Sequence, residues 1–318
     1  MKKIVLLLLF VLMSCASTAE KNGFYGWLDG VKAEARDKGI SRKVIRKAFK
    51  DVSYNEKVVN LDRNQPESKR TFENYLNVIA NPIRIKKGQD FYKENWKELE
   101  LVAKHYHIPA QYIVALLGVE TNYGNNFGNY SVINSLATMA YDNRRSEFFR
   151  KELFYALEIL DKKHITLENM KGSWAGAMGQ NQFMPSSFLS YAVDYDKDGH
   201  KDIWDSKLDV FASTANYLAS YGFNDKEKWG RKVILPKGFD SSLLGLDNKK
   251  SVNDWKKLGV KNKNRREMPD SNMQGSIIAP DGVSGPAYLV YDNFRVFMKW
   301  NRSLHFGVSV GLIANQIK

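Results

Sequence analysis

The segment Ile-Pro-Ala-Gln-Tyr-Ile-Val-Ala-Leu-Leu-Gly-Val-Glu-Thr-Asn-Tyr-Gly, residues 108 to 124, is too apolar to stay in water, yet it carries an acid, Glu120, near its end. Pro109 suits the first turn of a helix and Gly124 its stop. Counting back by seven, four and three from Glu120 lands on Ile113, Leu116 and Leu117, so the carboxylate is expected on their buried stripe. Burial and the negative end of the helix dipole both oppose ionisation there. Such an acid can keep its proton near neutral pH and donate it to a leaving group. The plain alternative is a helix-end glutamate that faces water or pairs with an arginine.

A buried helix needs a core around it, and 318 residues with 43% hydrophobic content supply one or two domains. The chain opens Met-Lys-Lys, followed by an apolar run from Ile4 to Met13 that is too short to span a bilayer. This is the pattern of an export signal. Cys15 is the only cysteine, which rules out an intramolecular disulfide. Its place after Leu12-Met13-Ser14 resembles a bacterial lipoprotein cleavage site, with Cys15 lipidated as the first mature residue. Ala16, with no Asp at that position, then points to the periplasmic face of the outer membrane. A secretory signal cleaved near Ala19, giving a soluble periplasmic protein, is the alternative. Either way the chain leaves the cytoplasm. The net charge of +13 favours acidic polymers or membrane faces. Export and the lack of a recognised module argue against nucleic acid.

The apolar spacing predicts helices over 24–49, 92–106, 131–140, 146–160 and 210–221, with a polar loop over 55–69. From Trp229 to Val283 the chain turns rich in Gly, Lys, Asn and Asp with short apolar runs, which reads as small strands and long loops. Helical spacing returns from Tyr288 to Ile317. The expected division is a signal over 1–15, a helical core over 16–223, a strand-bearing insertion over 224–284 and a helical part over 285–318 that completes the core.

Two further blocks carry chemistry. In Lys-Gly-Ser-Trp-Ala-Gly-Ala-Met-Gly-Gln-Asn-Gln-Phe-Met-Pro-Ser-Ser, residues 171 to 187, closely spaced glycines and alanines permit a tight backbone path beside a ligand. Ser173, Gln180 and Gln182 offer neutral donors and acceptors suited to sugar amides and hydroxyls, and a helix is expected to begin near Pro185. The second block is Asp-Tyr-Asp-Lys-Asp-Gly-His-Lys-Asp-Ile-Trp-Asp, residues 194 to 205. Numbered from Asp194, acids fall at positions 1, 3, 5, 9 and 12 with Gly199 at 6, as in an EF-hand calcium loop. Asp194, Asp196, Asp198, the His200 carbonyl and Asp205 are the expected ligands of one structural Ca²⁺. Asp205 in place of a longer Glu, and Lys201 at a normally apolar position, suggest modest affinity. Histidines are too few and too spread for a zinc site, and His105 and His107 are expected at the surface or in caps. No organic cofactor is implied.

With these blocks in view, the chain resembles the membrane-bound lytic murein transglycosylase B family, which cleaves the glycan of bacterial peptidoglycan. The resemblance rests on Gly-Val-Glu-Thr-x-Tyr-Gly (118 to 124), Arg144-Arg145, Gly-Ser-x-Ala-Gly-Ala-Met-Gly-Gln-x-Gln-Phe-Met-Pro-Ser (172 to 186), the Asp-rich loop, Asn293-Phe294 and Asn301-x-Ser303, and runs from about Phe24 to the C-terminus. It implies a mainly α (α+β) fold, a lysozyme-like helical core with a smaller strand-containing insertion and the EF-hand-like loop. It also makes Glu120 the catalytic acid and base, and has Ser173 and Asn293 contact the N-acetyl group. Tyr75, Gln182, Phe183 and Tyr217 would line sugar subsites. Arg144 and Arg145 would meet the carboxylates of the stem peptide. Asp292 stands before Asn293 where a neutral residue is more usual.

The residues themselves are compatible with that chemistry. A glycosidase ordinarily needs two carboxylates, and Glu120 has no second acid within its motif, although folding could bring one in. One acid suffices if the substrate's own N-acetyl oxygen attacks the sugar carbon. The expected partners are glycan strands with their stem peptides, a membrane through the lipid anchor, and other wall enzymes. A non-catalytic wall-binding lipoprotein that scaffolds such enzymes is the rival reading, and it gives no reason for the acid.

Overall fold

The computed structural model describes residues 23–64, 71–142 and 144–317. Of the described residues, those within 23–64 and 127–204 make up one compact unit, and those within 71–126 and 205–317 the other.

In the first unit the helices Val132–Tyr141 and Ser146–Asp161 pack on each other as a hairpin. Their apolar positions recur every three or four residues, so Ile133, Leu136 and Ala137 meet a face with Leu153, Ala156 and Leu157, all buried. Ser131 caps the first of them by accepting from Asn134 N–H. At the other end of that helix, Tyr141 closes an aromatic cluster with Phe24, Trp27 and Tyr54. The stretch read as a polar loop over 55–69 instead begins with a helix, Glu56–Arg63. Asn55 caps it through Lys57 and Val58 N–H, and Val58 and Val59 bury its inner face. Two apolar side chains and a good cap outweighed its polar composition.

The second unit is organised on the helix Ala110–Thr121, which is buried nearly all round. The helices Pro82–Glu94, Trp96–Tyr106, Lys207–Ser220 and Leu304–Ala314 pack against it. A five-stranded antiparallel sheet runs in the spatial order Lys249–Ser251, Gln274–Ile278, Ala287–Val290, Gly230–Ile234, Lys261–Asn262. The middle strand pairs Val290 with both Ser276 and Gly230. Its residues are buried on both faces, so it shows a continuous apolar run and no alternation. The helical spacing expected from Tyr288 is thus strand as far as Val290. The helix begins only at Asp292, and the sheet extends past the expected insertion boundary at 284. Trp255 anchors one face of the sheet with Val233, Ile277 and Leu289, its indole N–H donating to Gly275 C=O at 2.9 Å.

Candidate active site

The Gly-Val-Glu-Thr-Asn-Tyr-Gly run is a built corner. The helix stops earlier than Gly124: Asn122, at φ 53°, is its left-handed cap and bonds back to Gly118 and Leu117 carbonyls. Tyr123 and Gly124 continue at φ 62° and 78°, which throws the chain sharply away from the helix axis. Tyr123 then folds back over the last turn. A Cβ on Gly118 would sit 2.6 Å from its ring, so only glycine leaves room. The phenol donates to Arg84 C=O at 2.8 Å, and burial pushes its pKa up to about 12, the Arg84 charge only partly offsetting this. Thr121 Oγ1 accepts from Gly124 N–H, and Asn126 N–H reaches Thr121 C=O at 2.9 Å. Gly118, Thr121, Asn122, Tyr123 and Gly124 therefore each have a part in fixing the turn that carries Glu120.

Glu120 is half-buried, whereas Ile113, Leu116 and Leu117 on the same stripe are fully buried. The stripe ends at the acid, which emerges where the helix does. Its Oε1 accepts from the indole Nε1–H of Trp300 at 2.7 Å. Trp300 closes the helix Asp292–Trp300. Its ring lies 4.6 Å from that of Tyr217, whose hydroxyl donates to Lys299 C=O at 2.7 Å. Tyr217 is thus joined to Glu120 through an indole that nothing in the spacing of residues singles out. Trp300 reads there as one more apolar residue at helical spacing. The available signal was the neighbouring Asn301-x-Ser303.

Asn293 is placed otherwise than expected. It is 1% exposed, and its amide donates to the carbonyls of Asn224 and Glu227, both at 2.7 Å, while accepting from Asn224 N–H at 2.8 Å. Both amide protons are spent on backbone, so Asn293 staples the 224–227 turn and has none to offer an N-acetyl oxygen. The acid before it, Asp292, is neutralised by Lys249 at 2.7 Å. Tyr75 stands edge-on to His305 at 5.4 Å. Its helix, Phe72–Ile79, is tied down by Asp281, which accepts from Phe72 N–H.

In the first unit the Gly-rich block knots on itself. Met178 bridges to both Gly172 and Phe183, and Ser173 N–H reaches Ala177 C=O at 2.8 Å. Ser173 Oγ accepts from Ala177 N–H at 3.1 Å. Gln182, at φ 50°, donates to the carbonyls of Phe127 and Gly179, and Phe183 is buried. Gln180 holds the Asp-rich loop by donating to Trp204 C=O at 2.7 Å. Arg144 is paired with the buried Asp62, meeting its carboxylate at 3.2 Å and its carbonyl at 3.0 Å. Arg145 lies over the rings of Phe148 and Phe149.

Asp194 and Asp196 bring carboxylate oxygens within 4.8 Å of each other. The loop backbone turns inward on them: Asp198 and Gly199 N–H donate to Asp194, and His200 N–H to Asp198. Gly199 sits at φ 95°, the turn that position 6 requires. The donor set, all hard carboxylate and carbonyl oxygen, fits a calcium ion. Asp205 is exposed and precedes Ser206, the cap of Lys207–Ser220. His107 is the left-handed cap of Trp96–Tyr106, and both it and His105 are exposed. The lipidation position, Cys15, lies outside the described residues.

An acid at the exit of a buried helix, clamped by an indole, is the candidate acid–base site on this helical core. Residues 23–315 match the transglycosylase SLT domain family, and the chain belongs to that family. Membrane-bound lytic murein transglycosylase B of Escherichia coli (strain K12) is 31% identical over 240 residues, covering 74% of this chain. The match spans 64% of that relative's length, just under two thirds. SltB3 from Pseudomonas aeruginosa, solved in complex with NAG-anhNAM-pentapeptide, is 42% identical with a TM-score of 0.88, covering 92% of this chain and 78% of that one. The Escherichia coli lytic transglycosylase SLT35, solved in complex with calcium, is 27% identical with a TM-score of 0.76, covering 91% of each chain. The mostly helical, lysozyme-like fold with a small sheet is therefore shared with lytic transglycosylases.

Proposed function

We propose that this protein is a lytic transglycosylase that cleaves the β-1,4 bond between N-acetylmuramic acid and N-acetylglucosamine in peptidoglycan, leaving a 1,6-anhydro-N-acetylmuramyl end. The observation that carries the reading is Glu120, half-buried at a rigid corner and held by Trp300. Likeness to SltB3, which was solved with NAG-anhNAM-pentapeptide, supports the substrate class.

Glu120 gives its proton to the glycosidic oxygen as the C–O bond breaks, and the substrate's N-acetyl oxygen bonds to the sugar carbon. The Glu120 carboxylate then takes the proton of the 6-hydroxyl. The 6-oxygen closes on the same carbon and the N-acetyl oxygen leaves. The enzyme ends with the proton it began with, and water is not consumed. Ser173, whose Oγ accepts from Ala177 N–H, keeps its own hydroxyl proton for the N-acetyl carbonyl. Tyr75, Gln182 and Phe183 shape sugar subsites, and Arg145, with Arg144 beside it, meets stem-peptide carboxylates. Asp194, Asp196, Asp198, the His200 carbonyl and Asp205 hold one structural Ca²⁺, a reading supported by the calcium complex of SLT35. Cys15 anchors the protein by lipid to the outer membrane, which membrane fractionation of the exported protein tests.

Digesting sacculi in ¹⁸O-water tests the reaction. Wild type should release anhydro ends without label, and Glu120→Gln should release almost nothing while still binding glycan, because the amide cannot exchange the proton. Labelled, reducing ends as the main product would make the enzyme a hydrolase. Turnover by Glu120→Gln within a few-fold of wild type would move the chemistry to another residue.

A further inference from the structure

We propose that Trp300 is the positioning residue of the acid: by holding Oε1 of Glu120, its indole N–H assigns the travelling proton to Oε2. The inference rests on Glu120 being the catalytic acid. The Nε1–H···Oε1 contact of 2.7 Å lies at the short end of N–H···O bonds, as expected for a charge-assisted one. An indole nitrogen donates and never accepts, so Trp300 makes the same bond whether Glu120 is ionised or protonated. A carbonyl-type oxygen accepts better than a hydroxyl oxygen. When the acid is protonated its hydrogen therefore resides on Oε2.

The last torsion of a glutamate is broad and two-fold, so an unclamped carboxyl interchanges its two oxygens. The proposed reaction needs one oxygen to give a proton to the glycosidic oxygen and then take one from the 6-hydroxyl. Trp300 breaks the two-fold equivalence and keeps that oxygen in place for both transfers. The indole is itself restrained from several sides. Tyr217 packs against its ring at 4.6 Å and locks the neighbouring Lys299 carbonyl through its hydroxyl at 2.7 Å. Beyond it, Asn301 Oδ1 accepts from Ser303 N–H, and Ser303 caps the helix Leu304–Ala314. The Asn301-x-Ser303 pattern thus fixes the turn that follows the indole.

The test compares full-length Trp300→Phe and Trp300→Tyr with wild type on defined glycan strands. Phenylalanine keeps an aromatic ring but no donor, and tyrosine supplies an O–H. Loss of a hydrogen bond to a charged group should lower kcat about 10- to 100-fold in Trp300→Phe. KM should hold, because the indole N–H is spent on the protein and not on the sugar. Trp300→Tyr should recover part of kcat. Wild-type kcat in Trp300→Phe, or a loss confined to KM, would overturn the proposal. Should Trp300→Phe fail to fold, ¹⁵N-tryptophan labelling of wild type and Glu120→Gln reads the same bond. One indole N–H resonance should stand downfield in wild type and move upfield in Glu120→Gln, and an unchanged set of indole resonances would overturn the assignment. The two readings fail separately. An active Glu120→Gln removes the acid and this inference with it, while an inactive Glu120→Gln beside a fully active Trp300→Phe removes only the role of Trp300.

Discussion

Glu152 is 3% exposed, and both its oxygens are committed to one residue. Ser186 donates to it from N–H at 2.9 Å and from its hydroxyl at 2.7 Å, so Glu152 serves as a remote cap on the helix Pro185–Tyr191. Burial pushes its pKa above the ordinary value, and the two Ser186 bonds pull it only part of the way back. A carboxyl with a raised folded pKa contributes its stability below the unfolded value and loses it as pH climbs through the folded one, since the unfolded chain sheds its proton first. Glu152→Gln keeps the shape and deletes the titration. Its melting temperature relative to wild type should therefore improve as pH rises above the ordinary glutamate pKa of about 4. A difference that does not change with pH would mean that Glu152 is not held against its charge. Glu120 differs in kind: it is half-buried, and one of its oxygens accepts from the indole of Trp300, a donor that serves either protonation state.

At the scale of elements, the corner from Gly118 to Gly124 couples stability to the site. Gly118→Ala would place a methyl 2.6 Å from the Tyr123 ring and push the phenol off the Arg84 carbonyl. Overpacking of this sort costs about 1–3 kcal/mol, which denaturant unfolding can measure. Activity should fall with it, because Glu120 rides on the same last turn. Unaltered stability would mean that Tyr123 has room to shift. The motif was legible in the sequence because its residues are close in the chain and each has a local duty. Its stop was less so: Gly124 looks like the terminator, yet Asn122 can also take the left-handed cap and does so first. The strand Ala287–Val290 is not recognisable as strand in the sequence, because a strand covered on both faces loses its period of two. Trp300 and the backbone duty of Asn293 were out of reach, since one bonds a residue 180 positions away and the other is spent on a turn 66 to 69 positions away. Spacing along a chain carries no record of such pairs.

For the molecule as a whole, the Asp-rich loop stands against a net charge of +13 and concentrates acids where the rest of the chain is basic. Within it Asp194 and Asp196 face each other inside 4.8 Å, and the backbone N–H groups of Asp198 and Gly199 are the donors that hold Asp194 inward. Two carboxylates so close repel, and in the proposed calcium-bound protein the ion removes that cost. Only the folded loop gathers these oxygens, so calcium should bind the native state and leave the unfolded chain alone. At a free concentration of one hundred times Kd this contributes about 2.7 kcal/mol, enough to raise the melting temperature by several degrees. Chelator should bring wild type back down. Asp198→Ala removes one ligand and the acceptor of His200 N–H. It should melt lower than wild type in calcium and lose most of the calcium-dependent shift. Turnover at low temperature should stay near wild type in both cases, because the ion stiffens the loop and takes no part in the proton transfers of Glu120. Two outcomes decide the matter. If wild type melts at the same temperature in chelator and in calcium, no structural ion is held, and if the shift survives intact in Asp198→Ala, the ion sits elsewhere in the protein.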